Sequence, residues 1–564
     1  MKTAHRIITP FFCLFVYALQ VSAAPEAEYG KLSKTYILHE DGSQEFHYRM
    51  ELTLFTHTAM NATYGESFIV YNPRYQELKI HSSYTRQKDG TIVTTPENAF
   101  VEVLPSQAAG APAYNHLKEM IVVHTGLELG ATIHLDYSIL TKPGYLPELD
   151  ICEAIGQTSP VKDYTLTVEV PADKPLFYTL LNSSAQPVVS KANPNKLVWH
   201  IRDLPAASRE PEVSAPGGDI PLLVVSTYPT ATEALKTLNK QLTPQGNMPL
   251  LSLSETITEG KTTDTEKRLA ILSHVTDHIG YSRLNLRETG FRIRPSDEVI
   301  PSAYGTEMEK VNLLAGLLEA AGIPAEIVAS FPKHLPVNSG GLSAILDIFV
   351  KVVTDGKTYL LTPTRKNLSE AGRYTAGKRY LSLTNPGKEV TVEAPSTAID
   401  YEYTISVTPT QADIQAKGSM GEAFEYAEPG TGSQALKNYS GYTILALPDV
   451  PAGIAHRPYS RYNSRRSTNL LLPYLANERY RYTIQLAEGL ELSTPDYVKT
   501  IDNPVGKAVI SVKQNDRTIE VVRTLEIKQQ LIPPSDYASF RHLMTEWADP
   551  ANNQLLLERG AESR

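Results

Sequence analysis

Cysteine is nearly absent. The 564 residues hold two, Cys13 and Cys152, and Cys13 lies in a leader-like opening stretch. A mature chain would keep Cys152 alone, which excludes an intramolecular disulfide. Tryptophan is equally scarce, at two residues. No run beyond the leader approaches the roughly 18 apolar residues of a membrane-spanning helix. Basic charge is not in excess either: 53 Lys and Arg against 62 Asp and Glu leave a net charge of −9. Nucleic-acid affinity rests on neutralising phosphates, so an acidic chain is a poor candidate for that role. With 41% hydrophobic and 20% charged residues, the chain is also not short of core, and disorder is not its default state.

Tyrosine, by contrast, is plentiful: 31 residues against 13 Phe. It suits half-buried β-surfaces as well as grooves that face peptide or carbohydrate. The length exceeds what one core can organise and implies about three domains. Residues 1–23 read as a signal peptide: Lys2 and Arg6 are the basic start, Phe11–Val21 is apolar, and Val21-Ser22-Ala23 offers small residues for cleavage near Ala23. Loss of this segment, which carries two basic residues and no acid, takes the net charge from −9 to −11. The bulky pair Phe11-Phe12 before Cys13 does not suit lipid attachment there. The expectation is a soluble exported protein, periplasmic or secreted, with no transmembrane segment in the mature chain.

Residues 24–215 read as β throughout. Thr35–Leu38 and Glu45–Leu54 flank Asp41-Gly42, and Glu77–Thr85 and Thr91–Thr94 flank Asp89-Gly90, the strongest short hairpin signal. Further runs at Ile121–His124, Thr132–Leu140, Tyr164–Val170 and Lys196–Ile201 complete the pattern of an antiparallel β-sandwich. Ile151-Cys152-Glu153 has no helix start beside it to stabilise a thiolate, so Cys152 is expected to be a buried structural thiol, distant from any central site. Pro205–Pro216 then has linker composition.

The middle, residues 216–395, changes period. Thr230–Leu242 is expected to be helical, with Thr230 and Glu233 at capping spacing. Thr263 and Glu266 form a second capping box before Leu269, Leu272, Val275 and Ile279. His274 and His278, four apart on that helix, have the spacing of a metal pair, but without a third ligand nearby they are expected to be ordinary partly exposed side chains. The best-defined helix follows Tyr304-Gly305. Thr306 and Glu309 form its capping box, Val311, Leu314, Leu318 and Ala321 its apolar face, and Gly322 with Pro324 its stop. A strand at Ala325–Ser330 comes next, then a hairpin, Ile345–Thr354 and Lys357–Thr362, turning at Asp355-Gly356. A two-residue turn pairs 354 with 357 and 349 with 362, and places Asp347 diagonal to Thr362 on one face, roughly 7–8 Å away.

Residues 396–564 read as β again: Tyr401–Val407, Tyr442–Leu447, Tyr480–Gln485, Ala508–Val512 and Thr518–Glu526. They end in a helix capped by Ser535, with Tyr537, Phe540, Met544 and Trp547 as its packing stripe. His456–Arg466 is the one concentrated basic and aromatic stretch. It could take an acidic glycan or peptide, but a solvated loop or strand edge is the expectation. The fold class is therefore multidomain α+β: a β-sandwich, an α+β core, and a β-sandwich with a terminal helix.

The middle domain resembles the transglutaminase-like core, a papain-like thiol fold. The flanks resemble a Bacteroidota architecture that sets this core between two β-domains of unknown function. The resemblance rests on Tyr71–Leu78, Gly126-Leu127-Glu128-Leu129-Gly130 and Ile279-Gly280-Tyr281. It rests also on Gly305 with Leu313-Leu314 through Pro324, and on Asp355–Tyr359 to Thr362-Pro363-Thr364. Asn503–Gly506, Tyr537–Phe540 and Leu555–Glu558 match more loosely. Such a family implies a Cys, His, Asp triad, with the Cys at the helix start where the dipole and free N–H groups favour a thiolate. Here Glu307 stands in the Cys column of a Gly-Asp-Cys-Lys-Asp pattern, Asp347 in the His column and Thr362 in the Asp column. His334, in the preceding loop, would have no thiol to activate. The resemblance then implies a scaffold without its triad and no cofactor. Tyr304, Gly305, Glu307 and Asp347 would line a cleft for a peptide, glycan or protein partner. Two competing expectations are a hydrolase using Glu307 and Asp347 as an acid–base pair, or as a cation site, and a structural envelope component.

Overall fold

A computed structural model of the chain describes residues 25–213, 220–244, 246–336, 339–364, 377–393, 396–420 and 429–559. The leader lies outside the described residues.

The N-terminal region is built on an eight-stranded sheet. Its strands are β1 (Ala27–Leu38), β2 (Gln44–Leu54), β4 (Gln76–Arg86), β5 (Ile92–Thr94), β8 (Thr132–Thr141), β10 (Val161–Glu169), β12 (Val188–Val189) and β13 (Lys196–Leu204). They lie in the order β12-β13-β10-β1-β2-β8-β4-β5. β3 (Glu66–Tyr71), β6 (Phe100–Val103) and β7 (Lys118–Val123) form a separate three-stranded sheet. Both Asp-Gly sites are the expected turns, with Gly42 at φ 83° and Gly90 at φ 92°. One neighbouring pair, β1 with β10, is parallel rather than antiparallel; strands so far apart in sequence are joined by a long crossover that allows it.

A third small sheet sets β9 (Asp150–Ala154), β11 (Phe177–Leu181) and β14 (Leu222–Ser226) side by side in the order β11-β14-β9. β14 lies beyond the linker, so the chain returns to the N-terminal region before entering the helices. Leu223 and Val225 point into the N-terminal core, and Leu222 and Val224 into the central one. The strand alternation of side chains thereby joins the two cores.

The helices are α1 (Ala231–Asn239), α2 (Met248–Thr258), α3 (Asp264–His278), α4 (Ser296–Ser302) and α5 (Glu307–Ala320). Thr230 caps α1, and Thr263 with Glu266 forms the capping box of α3. α2 and α4 carry no strong start signal of the Ser/Thr-x-x-Glu kind; α2 begins at Asn247, whose side chain accepts from Leu250 N–H. β15 (Gly280–Tyr281) and β16 (Tyr304–Gly305) form a short parallel pair at the foot of α5. A four-stranded sheet completes the core, in the order β19 (Lys357–Leu361), β18 (Asp347–Thr354), β17 (Ala325–Pro332), β20 (Lys378–Ser382).

α5 is buried nearly all round. Leu313, Leu314, Leu317 and Leu318 have no exposed surface, each contributing about 2 kcal/mol of apolar burial. Gly322, at φ 83°, is the left-handed residue beyond its last turn.

The C-terminal region pairs a seven-stranded sheet with a four-stranded one. Its buried tyrosines, among them Tyr403, Tyr474, Tyr480 and Tyr482, serve strand packing. The last helix, α6 (Tyr537–Ala548), buries Tyr537, Phe540, Met544 and Trp547 as expected, and Leu543 with them. Its N-cap is Asp536, not Ser535, and no side chain caps it; the Ser535 hydroxyl is turned to the Asp536 carboxylate instead. No helix among the described residues is long and apolar enough to cross a membrane.

Candidate active site

The start of α5 is held by a closed set of polar contacts. Glu309 Oε2 accepts from the Thr306 N–H at 2.8 Å, and Thr306 Oγ1 accepts from the Glu309 N–H at 3.4 Å. Glu309 does more than cap. It is fully buried, and Arg294 grips both its oxygens, Nε to Oε1 at 3.1 Å and Nη2 to Oε2 at 3.0 Å. The Arg294 N–H donates at 3.1 Å and the Tyr114 hydroxyl at 2.5 Å, both to Oε1. Tyr114 comes from the N-terminal region, so this carboxylate fixes that region to the helix start. The Arg294 guanidinium also lies 4.4 Å from the Tyr304 ring centre. A buried pair gains this much only when its remaining hydrogen-bonding sites are filled, and here they are.

Two residues before Glu309 and roughly opposite it around the helix, Glu307 is half-buried and faces a cavity of about 440 Å³. Thr306 and Met308 lie with it on the wall, and Asp347 approaches from the start of β18. The hairpin register is as expected from Thr354↔Lys357 back to Val350↔Leu361. There the β18–β19 ladder ends. Asp347 pairs instead across the other edge of β18, opposite Ser330 of β17. Its Oδ2 accepts from the Ser330 hydroxyl at 2.7 Å and from Lys378 Nζ at 2.6 Å. The Lys378 side chain is 3% exposed, so this is an internal ion pair.

The opposite wall is the surprise. Tyr36, Ile151, Cys152 and Glu153 line the same cavity. Cys152 is therefore not remote from the central site, as its place in another domain suggested: β9 carries it there, pairing with Val224 of β14. Its environment opposes reactivity. Burial, reinforced by the Asp150 and Glu153 carboxylates, pushes its thiol up to about 12. A reactive cysteine needs the reverse, a positive surrounding that favours the thiolate. Glu153 itself accepts from Lys34 Nζ and, at 3.0 Å, from the Tyr36 hydroxyl. Among the described residues, no histidine lines the cavity.

The seam beneath the cavity is tight. Ser343 N–H donates to Asp150 Oδ2 at 2.8 Å, and Arg287 Nη1 to the Asp150 carbonyl at 2.7 Å. A Cβ on Gly341 would fall 2.4 Å from the Asp150 carboxylate, so this loop position requires glycine. Burial raises the Asp150 carboxyl from 3.8 to about 6.

The other anticipated residues do not join this wall. Thr362 is buried just past β19, its hydroxyl 3.1 Å from that of Thr364. Tyr304 and Gly305 lie behind it: the Tyr304 hydroxyl accepts from the Ala113 N–H at 2.7 Å, and Gly305 is packed against Glu309 and Lys310. His334 is exposed in the turn after β17. His274 and His278 have ring centres 5.0 Å apart. Among the described residues, the three-member group at ligand spacing is elsewhere, at His47, His81 and Asp136. The basic stretch at 456–466 is only partly the solvated loop expected. Tyr459 is buried, and the Arg466 side chain, 2% exposed, donates to the carbonyls of Thr468 and Asn469 and lies 3.8 Å from Glu210 of the linker.

Sequence reasoning missed Tyr114, Arg294 and Lys378. They are far from their partners along the chain and belong to no local motif. Cys152 carried a signal that was available: the acidic residues Asp150 and Glu153 beside it.

Comparison with known proteins agrees with this layout. Sequence models of three families match in order: a domain of unknown function, DUF3857, over residues 40–208; the transglutaminase-like superfamily core over 251–359; and a second domain of unknown function, DUF3858, over 442–557. The crystal structure of a "putative protease" from Parabacteroides distasonis is 42% identical, with a TM-score of 0.82, covering 94% of this chain and 99% of its own. A "putative cysteine protease" from Cytophaga hutchinsonii is 13% identical at a TM-score of 0.18, covering 48% of this chain and 88% of its own. No curated protein matches.

Proposed function

The chain belongs to the transglutaminase-like family in which the core stands between DUF3857 and DUF3858 domains, and from that premise we propose that it is a non-catalytic member. In this reading it is exported to the cell envelope and uses the central cavity to bind a peptide, glycan or protein partner. The observation that carries the reading is the state of the one thiol at the site. Cys152 reaches the cavity, but burial and two acidic neighbours push it to about 12, and among the described residues no histidine lines the wall to take its proton. The positions where the family keeps its triad hold Glu307, Asp347 and Thr362, and Asp347 is engaged by Lys378 and Ser330. The helix caps and the hairpin turn are intact, which supports retention of the scaffold for binding.

Peptide and glycan libraries screened against the mature chain, and against Glu307→Trp to fill the cavity, test this. A ligand held by the first and lost by the second is the expected result. Hydrolysis of peptide or amide bonds by the wild type, lost in Glu307→Gln or Asp347→Asn, would replace this reading with that of a hydrolase rebuilt on those two carboxylates.

A further inference from the structure

We propose that the outward face of the N-terminal sheet holds a divalent transition-metal site, suited to Zn²⁺, formed by His47, His81 and Asp136. The three side chains come from adjacent strands, β2, β4 and β8, with β8 in the middle. Their ligand atoms lie within 4.8 Å of one another. On β2, His47 stands opposite Ser138, one diagonal step from Asp136 on the same face. On β4 the ladder slips between Ile80 and Ser82, which face Tyr137 and Asp136. The slip leaves His81 as the extra residue of a β-bulge. Bulges re-aim a side chain out of the regular alternation, and this one sets the His81 ring 5.3 Å from that of His47, inclined at 62°.

The donor set is the one such a metal selects. Two imidazoles and one carboxylate are the three protein ligands of many zinc sites, which leave a fourth position for water or a ligand. In the structure His47 Nε2 meets Asp136 Oδ1 at 2.6 Å. Binding would open that contact to roughly 3.3 Å, the separation of two ligands about 2.0–2.1 Å from a tetrahedral zinc. This is a side-chain adjustment of under an ångström at partly exposed groups. The Ser138 hydroxyl, 2.9 Å from His81 Nε2, orients the second ring, as outer partners of metal-bound histidines do. Half-exposed His47 and exposed His81 leave the open position toward solvent. Nothing in the central cavity contributes, so this site stands independently of the function proposed for it.

The test is calorimetric titration of the metal-stripped mature chain with Zn²⁺, repeated with Co²⁺ to read the coordination from its visible spectrum. One equivalent should bind with a tetrahedral or five-coordinate Co²⁺ spectrum. His81→Ala, at an exposed bulge whose loss does not threaten folding, should weaken binding by more than the roughly 10–100-fold that loss of an outer-shell partner costs. His274→Ala with His278→Ala should leave the stoichiometry unchanged. Absence of binding at a large molar excess of zinc would overturn the proposal. So would binding that survives His81→Ala and disappears with the His274/His278 double variant.

Discussion

The central cavity and the outward face of the N-terminal sheet are opposites. The cavity has the setting of a thiol enzyme: a capped helix start, a hairpin and a wall supplied by a neighbouring domain. Two carboxylates, one behind its wall and one on it, are engaged in holding that setting together, Glu309 by Arg294 and Tyr114, Asp347 by Lys378 and Ser330. The sheet face has no such setting, yet its His47, His81 and Asp136 lie together with solvent access. Burial converts charged groups into struts, because an unpaired buried charge is costly and each must find a partner. Exposure leaves ligand groups available.

The largest effect should come from the strut at the helix start. Glu309→Ala leaves the Arg294 guanidinium, 14% exposed, without its carboxylate, and should cost about 3–5 kcal/mol in urea unfolding of the central region. If the loss is below 1 kcal/mol, Glu309 is not a strut, and the contrast with the sheet face weakens.

The next effect lies at the seam joining the two regions. Asp150 is buried and binds its proton more tightly folded than unfolded, with its carboxyl raised from 3.8 to about 6. Its contribution is full at low pH and is lost as pH rises through about 6, on the order of 3 kcal/mol. Asp150→Asn removes this titration, so the variant should gain on the wild type between pH 4 and pH 7. Parallel pH profiles of unfolding for the two proteins would show that the seam does not hold Asp150 as described.

The smallest effect belongs to the sheet face. His81→Ala should leave the urea midpoint of the metal-free chain unchanged, since the residue is exposed. Zinc should raise the midpoint of the wild type by mass action and fail to raise that of the variant.

Much of the scaffold was legible in the chain. Asp-Gly turns between alternating runs, the Thr306/Glu309 and Thr263/Glu266 capping boxes, and Gly322 before Pro324 each encode their geometry within a few residues. The hairpin register followed from a two-residue turn and held as far as Val350↔Leu361. It could not reveal that Asp347 would turn to Ser330 and Lys378, because that depends on which strand covers the other edge of β18. The arrival of Cys152 in the cavity was hidden for the same reason: β14 crosses the linker to pair with β9. The His47, His81 and Asp136 group spans three strands and needs a bulge at His81, and no local spacing announces either. Ser535 shows the reverse failure, a residue of the right type that lost the cap position to a neighbouring Asp536.

The central claim, that this cavity holds no working nucleophile, turns on the ionisation of one sulfur. The direct measurement is the rate of Cys152 alkylation by iodoacetamide in the folded mature chain across pH 6 to 10, with a denatured sample as reference. Negligible labelling of the folded chain is expected near neutral pH, with a reactivity that rises only toward the alkaline end, well behind the denatured reference. Rapid labelling at pH 7 that saturates below the ordinary thiol range, and that a peptide or amide substrate blocks, would contradict the claim and make Cys152 the nucleophile of an active enzyme.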